Sequence, residues 1–123
     1  MPNETIASIL FVDDEPEILT ALTRLLRSKD LTIHTAISGE KGLRVLEQQN
    51  IDIVVSDKNM PGMNGNEFLQ KVTEQWPETV RIMLTAYTEL NDVIAAINSG
   101  RVWSYMTKPW NNDELKLNIQ QAL

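Results

Sequence analysis

Ile51-Asp52-Ile53-Val54-Val55-Ser56-Asp57 is a short run rich in β-branched residues that ends on an acid, and Lys58-Asn59-Met60-Pro61-Gly62-Met63-Asn64-Gly65 follows it at once with the residues of a turn. A strand apolar on both faces belongs inside a parallel sheet covered by helices. Strand three is predicted over Ile51 to Ser56, with Asp57 at its end. Four similar runs lie around it: Ile6 to Val12, Leu31 to Ala36, Val80 to Leu84 and Val102 to Met106. Between them apolar residues return at helical spacing in Ile18, Leu22, Leu25 and Leu26, in Phe68, Leu69, Val72 and Trp76, and in Leu90, Val93, Ile94 and Ile97. The segments Glu40 to Gln49 and Asp113 to Leu123 carry weaker patterns of the same kind. Pro16 suits a first helical turn, Ser38 an N-cap, Asn111 with Glu114 a capping box, and Gly100 a helix end.

Strict alternation of strand and helix with short connections implies right-handed crossovers and a parallel sheet with helices on both faces. The expected fold is α/β: a flavodoxin-like doubly wound five-stranded parallel sheet in the order 2-1-3-4-5, with five helices. The chain reads as one domain over residues 1–123, with a polar N-terminal tail from Met1 to Thr5. It has no cysteine, which excludes disulfides and thiolate metal sites. Its 17 acidic against 11 basic residues, a net charge of −6, argue against direct nucleic-acid binding. No charged-then-apolar leader opens the chain and its apolar runs are too short to span a bilayer, so a cytoplasmic location without membrane contact is expected.

In this topology ligands bind beyond the carboxyl ends of strands one and three, which are neighbours. Asp13-Asp14-Glu15 ends strand one and Asp57 ends strand three. Carboxylates so gathered repel one another, raise at least one pKa and call for a cation. Oxygen ligands with no His or Cys nearby favour a hard ion such as Mg2+. Taken alone, Asp13 and Asp14 also fit solvated loop acids or helix N-terminal charges. Thr85 at the end of strand four and Lys108 after strand five add a hydroxyl and an ammonium at the same sheet edge. That set suits a doubly charged phosphoryl group held around a carboxylate nucleophile.

The segments Phe11-Val12-Asp13-Asp14-Glu15-Pro16, Ser56-Asp57 through Asn64-Gly65, Leu84-Thr85-Ala86 and Tyr105-Met106-Thr107-Lys108-Pro109 occur in an order and spacing that resemble a response-regulator receiver domain of two-component signalling, the CheY-like superfamily. The resemblance covers Ile6 to Leu123 and implies a role for each matching position. Asp57 would accept a phosphoryl group from a phosphohistidine. Asp14, Asp57 and the backbone carbonyl of Asn59 would ligate Mg2+, with Asp13 acting through a water. Lys108 would pair with one phosphoryl oxygen and Thr85 would swing in to another. Tyr105 would change rotamer as the threonine moves, and the Lys108-Pro109 peptide would be cis. The readout would be the surface of helix four, strand five and helix five.

The implied partners are a sensor histidine kinase or phosphotransfer protein, an output domain or effector outside this chain, and a phosphorylation-linked homodimer. The wording around Trp103 and Trp110 leans toward receivers joined to cyclic-dinucleotide phosphodiesterases or transcriptional activators. This is a self-phosphorylating and self-dephosphorylating switch, not a conventional enzyme. Two other classes fit less well. A haloacid-dehalogenase-type phosphatase wants an acid where Asn59 stands, and a flavodoxin wants a hydroxyl- and glycine-rich loop where three acids stand. An unphosphorylated, degenerate receiver is opposed by the complete set of Asp13, Asp14, Asp57, Thr85 and Lys108. Lys58 departs from the apolar residue common after the acceptor. Gly42, where alanine is usual, should weaken its helix by about 1 kcal/mol. His34 and Met60, Met63, Met83 and Met106 read as structural, and the tryptophans at 103 and 110 as sheet-edge packing or interface anchors.

Overall fold

The computed structural model describes residues 7–28, 30–86 and 89–123; the tail Met1 to Thr5, Ile6 and the side chain of Leu90 lie outside the described set. Its elements run β1 (Ala7–Val12), α1 (Pro16–Leu26), β2 (Leu31–Ala36), α2 (Gly39–Gln48), β3 (Ile53–Asp57), α3 (Gly65–Gln75), β4 (Val80–Ala86), α4 (Leu90–Asn98), β5 (Ser104–Lys108) and α5 (Asn112–Ala122). The strands form one sheet in the order β2-β1-β3-β4-β5, and every neighbouring pair is parallel. This is the expected doubly wound order.

The period-two alternation of each strand divides the apolar residues between two cores. Ile9, Phe11, Ile53, Val55, Ile82 and Leu84 face one side, where Leu19 and Leu22 of α1 and Leu115 and Ile119 of α5 cover them. Leu10, Val12, Val54 and Met83 face the other, against Leu46 of α2, Phe68, Leu69 and Val72 of α3 and Val93 and Ala96 of α4. Met60, Met83 and Met106 are buried in these cores. His34 lies in β2, paired in register with Leu10, away from the carboxyl edge. Trp110 packs on the α1–α5 side, whereas Trp103 is 47% exposed.

Three strands differ from the sequence reading, and the differences matter for the site: β4 runs on past Leu84 to Ala86 and takes in Thr85. β3 begins at Ile53 instead of Ile51 and takes in Asp57, which pairs in register with Leu84. β5 begins at Ser104 instead of Val102 and takes in Lys108, opposite Ala86. Ile51 and Val102 are buried but lie ahead of the ladder. Burial marks a core residue, whereas a strand also needs its hydrogen-bonded partner, which an apolar pattern does not report. Lys108 thus ends a ladder instead of starting a loop, and Asp57, expected at the end of its strand, is hydrogen-bonded into it.

Local signals account for the helix ends. Ser38 Oγ accepts the Lys41 N–H at 3.1 Å, and Asn111 Oδ1 accepts that of Glu114 at 3.0 Å, the forward half of a capping box. The complete box stands at α3, where Asn64 and Glu67 bond reciprocally. Gly100, at φ 83°, follows α4 with its N–H on Ile97 and the Arg101 N–H on Ala96, a Schellman ending. Gly42 has a purpose that its helix propensity conceals. A Cβ there would lie 3.0 Å from the Phe68 ring and 3.1 Å from Val12 Cγ2, so the missing side chain lets α2 close on the core.

Candidate functional site

Asp13 follows β1 directly, its N–H bonded to the Ala36 carbonyl at 3.1 Å, and Asp57 ends the neighbouring β3. Both are buried, at 1% and 7% exposure. With Asp14 they present three carboxylates, each offering an oxygen within 4.8 Å of the others. Lys108, at the end of β5, reaches across β4 into this group. Its Nζ lies 2.7 Å from Asp13 Oδ2, 3.1 Å from Asp57 Oδ1 and 3.6 Å from Glu15 Oε1. The other oxygen of Asp13 accepts the Glu15 N–H at 2.9 Å, which ties the acidic loop to its own first residue.

The electrostatics follow from this crowding. Burial, then the negative charge of Asp13, pushes the Asp57 carboxyl up from 3.8 to about 6, although Lys108 pulls the other way. Burial alone would lower Lys108, but hydrogen bonding and charge from Asp13 and Asp57 outweigh it and hold the ammonium above its usual value. The lysine only partly compensates three acids. Residual repulsion among oxygen ligands is what a small divalent cation relieves, and three converging carboxylate oxygens with no nitrogen or sulfur donor suit a hard ion.

The remaining predicted residues stand nearby in other arrangements. Thr85, next to the last residue of β4, is buried, and its hydroxyl donates to the Ala86 carbonyl at 3.3 Å. Tyr105 in β5 is turned outward, 36% exposed. Asn59 sends its side chain away from the acids, its Nδ2 donating to Glu89 Oε2 at 2.7 Å. The Lys108-Pro109 peptide is cis. Gly65, the first residue of α3, closes one of the segments that carry the resemblance, but no role was assigned to it from sequence. A Cβ there would collide with the Asp57 carbonyl oxygen and crowd Lys58 Cα at 2.8 Å, so only glycine lets α3 start against the back of the acceptor residue. The Gly65 N–H closes the loop onto the Lys58 carbonyl at 2.9 Å. Its place in Met63-Asn64-Gly65 carried no periodic signal that could have marked it.

Residues 9–120 match the model of the response regulator receiver domain family. The chain belongs to that family. It is 38% identical over 117 residues to the hydrogenase transcriptional regulatory protein HoxA of Cupriavidus necator and equally to the transcriptional regulatory protein GlrR of Escherichia coli. Those alignments cover 95% of this receiver but 24% and 26% of the relatives, so the chain spans about a quarter of their length. Among solved structures it resembles the signal receiver domain of an HD domain-containing protein from Pseudomonas fluorescens, with a TM-score of 0.88 at 36% identity, covering 94% of this chain and 93% of that one. It also resembles the Vibrio cholerae chemotaxis protein CheY4, with a TM-score of 0.88 at 28% identity, covering 97% and 100%. The receiver fold is that of a signalling module instead of a conventional enzyme. Among its described residues no helix is long and apolar enough to cross a membrane.

Proposed function

We propose that this receiver accepts a phosphoryl group on Asp57 from the phosphohistidine of a sensor kinase or phosphotransfer protein, in a Mg2+-dependent reaction, and that the acyl phosphate switches the surface of α4, β5 and α5. The observation that carries the reading is the placement of one ladder-ending, buried carboxylate between two further acids and an ammonium. An ionised Asp57 oxygen attacks phosphorus, the new O–P bond replaces the N–P bond, and the electron pair returns to the donor imidazole. Lys108 Nζ, already 3.1 Å from Asp57 Oδ1, is placed to pair with a phosphoryl oxygen and offset the added charge. The carboxylates of Asp13, Asp14 and Asp57, with the Asn59 carbonyl, would hold Mg2+. When bound, the ion supplies charge neutralisation for the entering oxygens.

Thr85 has to leave the Ala86 carbonyl to reach the phosphoryl group, and that exchange links chemistry to shape. Its departure opens space beneath β5 for the outward Tyr105, so phosphorylation biases a two-state surface. The regulators among its relatives support an output domain outside this chain, a transcriptional module or, by the Pseudomonas fluorescens likeness, an HD domain. We assign the receiver itself to the cytoplasm, without direct nucleic-acid binding, and expect dimerisation to accompany phosphorylation. Incubation with acetyl phosphate and Mg2+ tests the core of this reading. Intact-mass spectrometry should find one hydroxylamine-sensitive phosphoryl group, absent in Asp57→Ala; labelling that persists in that variant would refute it.

A further inference from the structure

Outside the pocket, charge ties the first turn of α4 to the loop after Asp57. Lys58 Nζ lies 3.2 Å from Glu89 Oε1 and 3.4 Å from Asp92 Oδ2, with its side chain only 10% exposed. Asn59 donates to the second oxygen of the same Glu89. One carboxylate at the N-cap of α4 therefore grips the two residues that directly follow the acceptor. The backbone of Lys58 is already fixed, by its N–H on the Leu84 carbonyl at 2.9 Å and by Gly65. Asn59 makes no backbone hydrogen bond to another described residue, so its side chain on Glu89 is what anchors it.

The other end of α4 is held differently. The Arg81 guanidinium donates to the carbonyls of Arg101 at 2.8 Å and Gly100 at 3.1 Å, just past the helix, and to those of Thr79 and Pro77. Those contacts involve no residue of the acidic pocket. Helix α4 is thus pinned at its C-terminal end by a fixed structural bond and at its N-terminal end by a clasp that shares residues with the metal-binding loop.

We infer that Glu89 is a positioning residue: through Lys58 and Asn59 it sets the loop whose Asn59 carbonyl would face the ion, and by the same contacts it couples metal binding to the first turn of α4. The inference rests on the Mg2+ reading above. Lys58 and Glu89 carry opposite charges, which separates positioning from a plain field effect. A field effect makes Glu89→Ala weaken Mg2+ binding and Lys58→Met tighten it, because one removes an anion and the other a cation. A clasp makes both weaken it, because either change breaks the same contact.

Mg2+ titrations of the whole chain followed by amide NMR, with hydrogen exchange at α4, decide between them. Each single variant should bind Mg2+ about tenfold more weakly, the low end for partners that orient a metal ligand. The exchanged pair Lys58→Glu with Glu89→Lys should recover part of the loss. In the unchanged chain Mg2+ should slow exchange in the first turn of α4 and leave the last turn alone, as reciprocity of coupling requires. Shifts of opposite sign, or unaltered affinity in both single variants, would overturn the clasp. If the chain and its variants bind Mg2+ as described yet none takes phosphate from acetyl phosphate, the phosphoacceptor reading falls and the clasp stands. A chain that binds no Mg2+ would end both.

Discussion

The two edges of the sheet treat a charge drawn partly or wholly out of water in opposite ways. At the amino edge Arg81, drawn below its usual pKa by burial, is surrounded by four backbone carbonyls and faces no carboxylate among the described residues. Its charge is spent on neutral acceptors that cannot change state. At the carboxyl edge Asp57 is buried beside two like charges with one lysine to offset them. That charge is left unsettled, and an unsettled carboxylate is what a cation or a phosphoryl group can find rewarding to meet. Stability and reactivity are separated along the strands.

The largest effect expected from breaking this contrast is all-or-none: Asp57→Asn should abolish labelling by acetyl phosphate, whereas Arg81→Met should leave it intact, both read by mass. Next comes the support directly behind the acceptor. Gly65→Ala should destabilise the fold by about 3 kcal/mol in urea denaturation, because the added methyl meets the Asp57 carbonyl in a packed site. Arg81→Met should cost about 2 kcal/mol by the same measurement, the loss of charge-assisted bonds to partly buried carbonyls.

The pH dependence sharpens the comparison further. Folded Asp57 keeps its proton up to about pH 6, whereas the ordinary carboxyl releases it near 3.8. The folded state therefore binds the extra proton between those values, and this residue's contribution to stability declines as pH rises through the window, by about 3 kcal/mol before solvent screening and about 2 kcal/mol after it. Asp57→Asn should remove that decline, measured by urea midpoints at pH 4 and 7, and so be the more stable protein at pH 7 without metal. A wild-type chain whose pH profile matches that of Asp57→Asn would show that Lys108 fully compensates the acids. The smallest effect is local: Asn64→Ala should cost about 1 kcal/mol by unfreezing the α3 cap.

Much of the site was legible because strand ends are legible. Asp13, Asp57 and Lys108 each follow an apolar run, and in a doubly wound sheet the ends of such runs share one edge. The partners of Lys58 were not. Glu89 lies 31 residues away, and whether it faces the loop depends on the rotation of α4 about its own axis. For Gly42 the propensity cost is visible in sequence, whereas the closeness of Phe68 that leaves no room for a Cβ is not.

The order of elements, the sheet order and the meeting of acids with a lysine were set by local pattern, because period and polarity along a chain determine which faces must be buried. Tertiary structure alone decided that Asp57 and Lys108 lie within hydrogen-bonded ladders, that Thr85 rests on the Ala86 carbonyl, and that Lys58 turns from the pocket toward α4. Those choices depend on distances between residues far apart in the chain, where differences of an ångström settle which of several available partners a charge or hydroxyl takes.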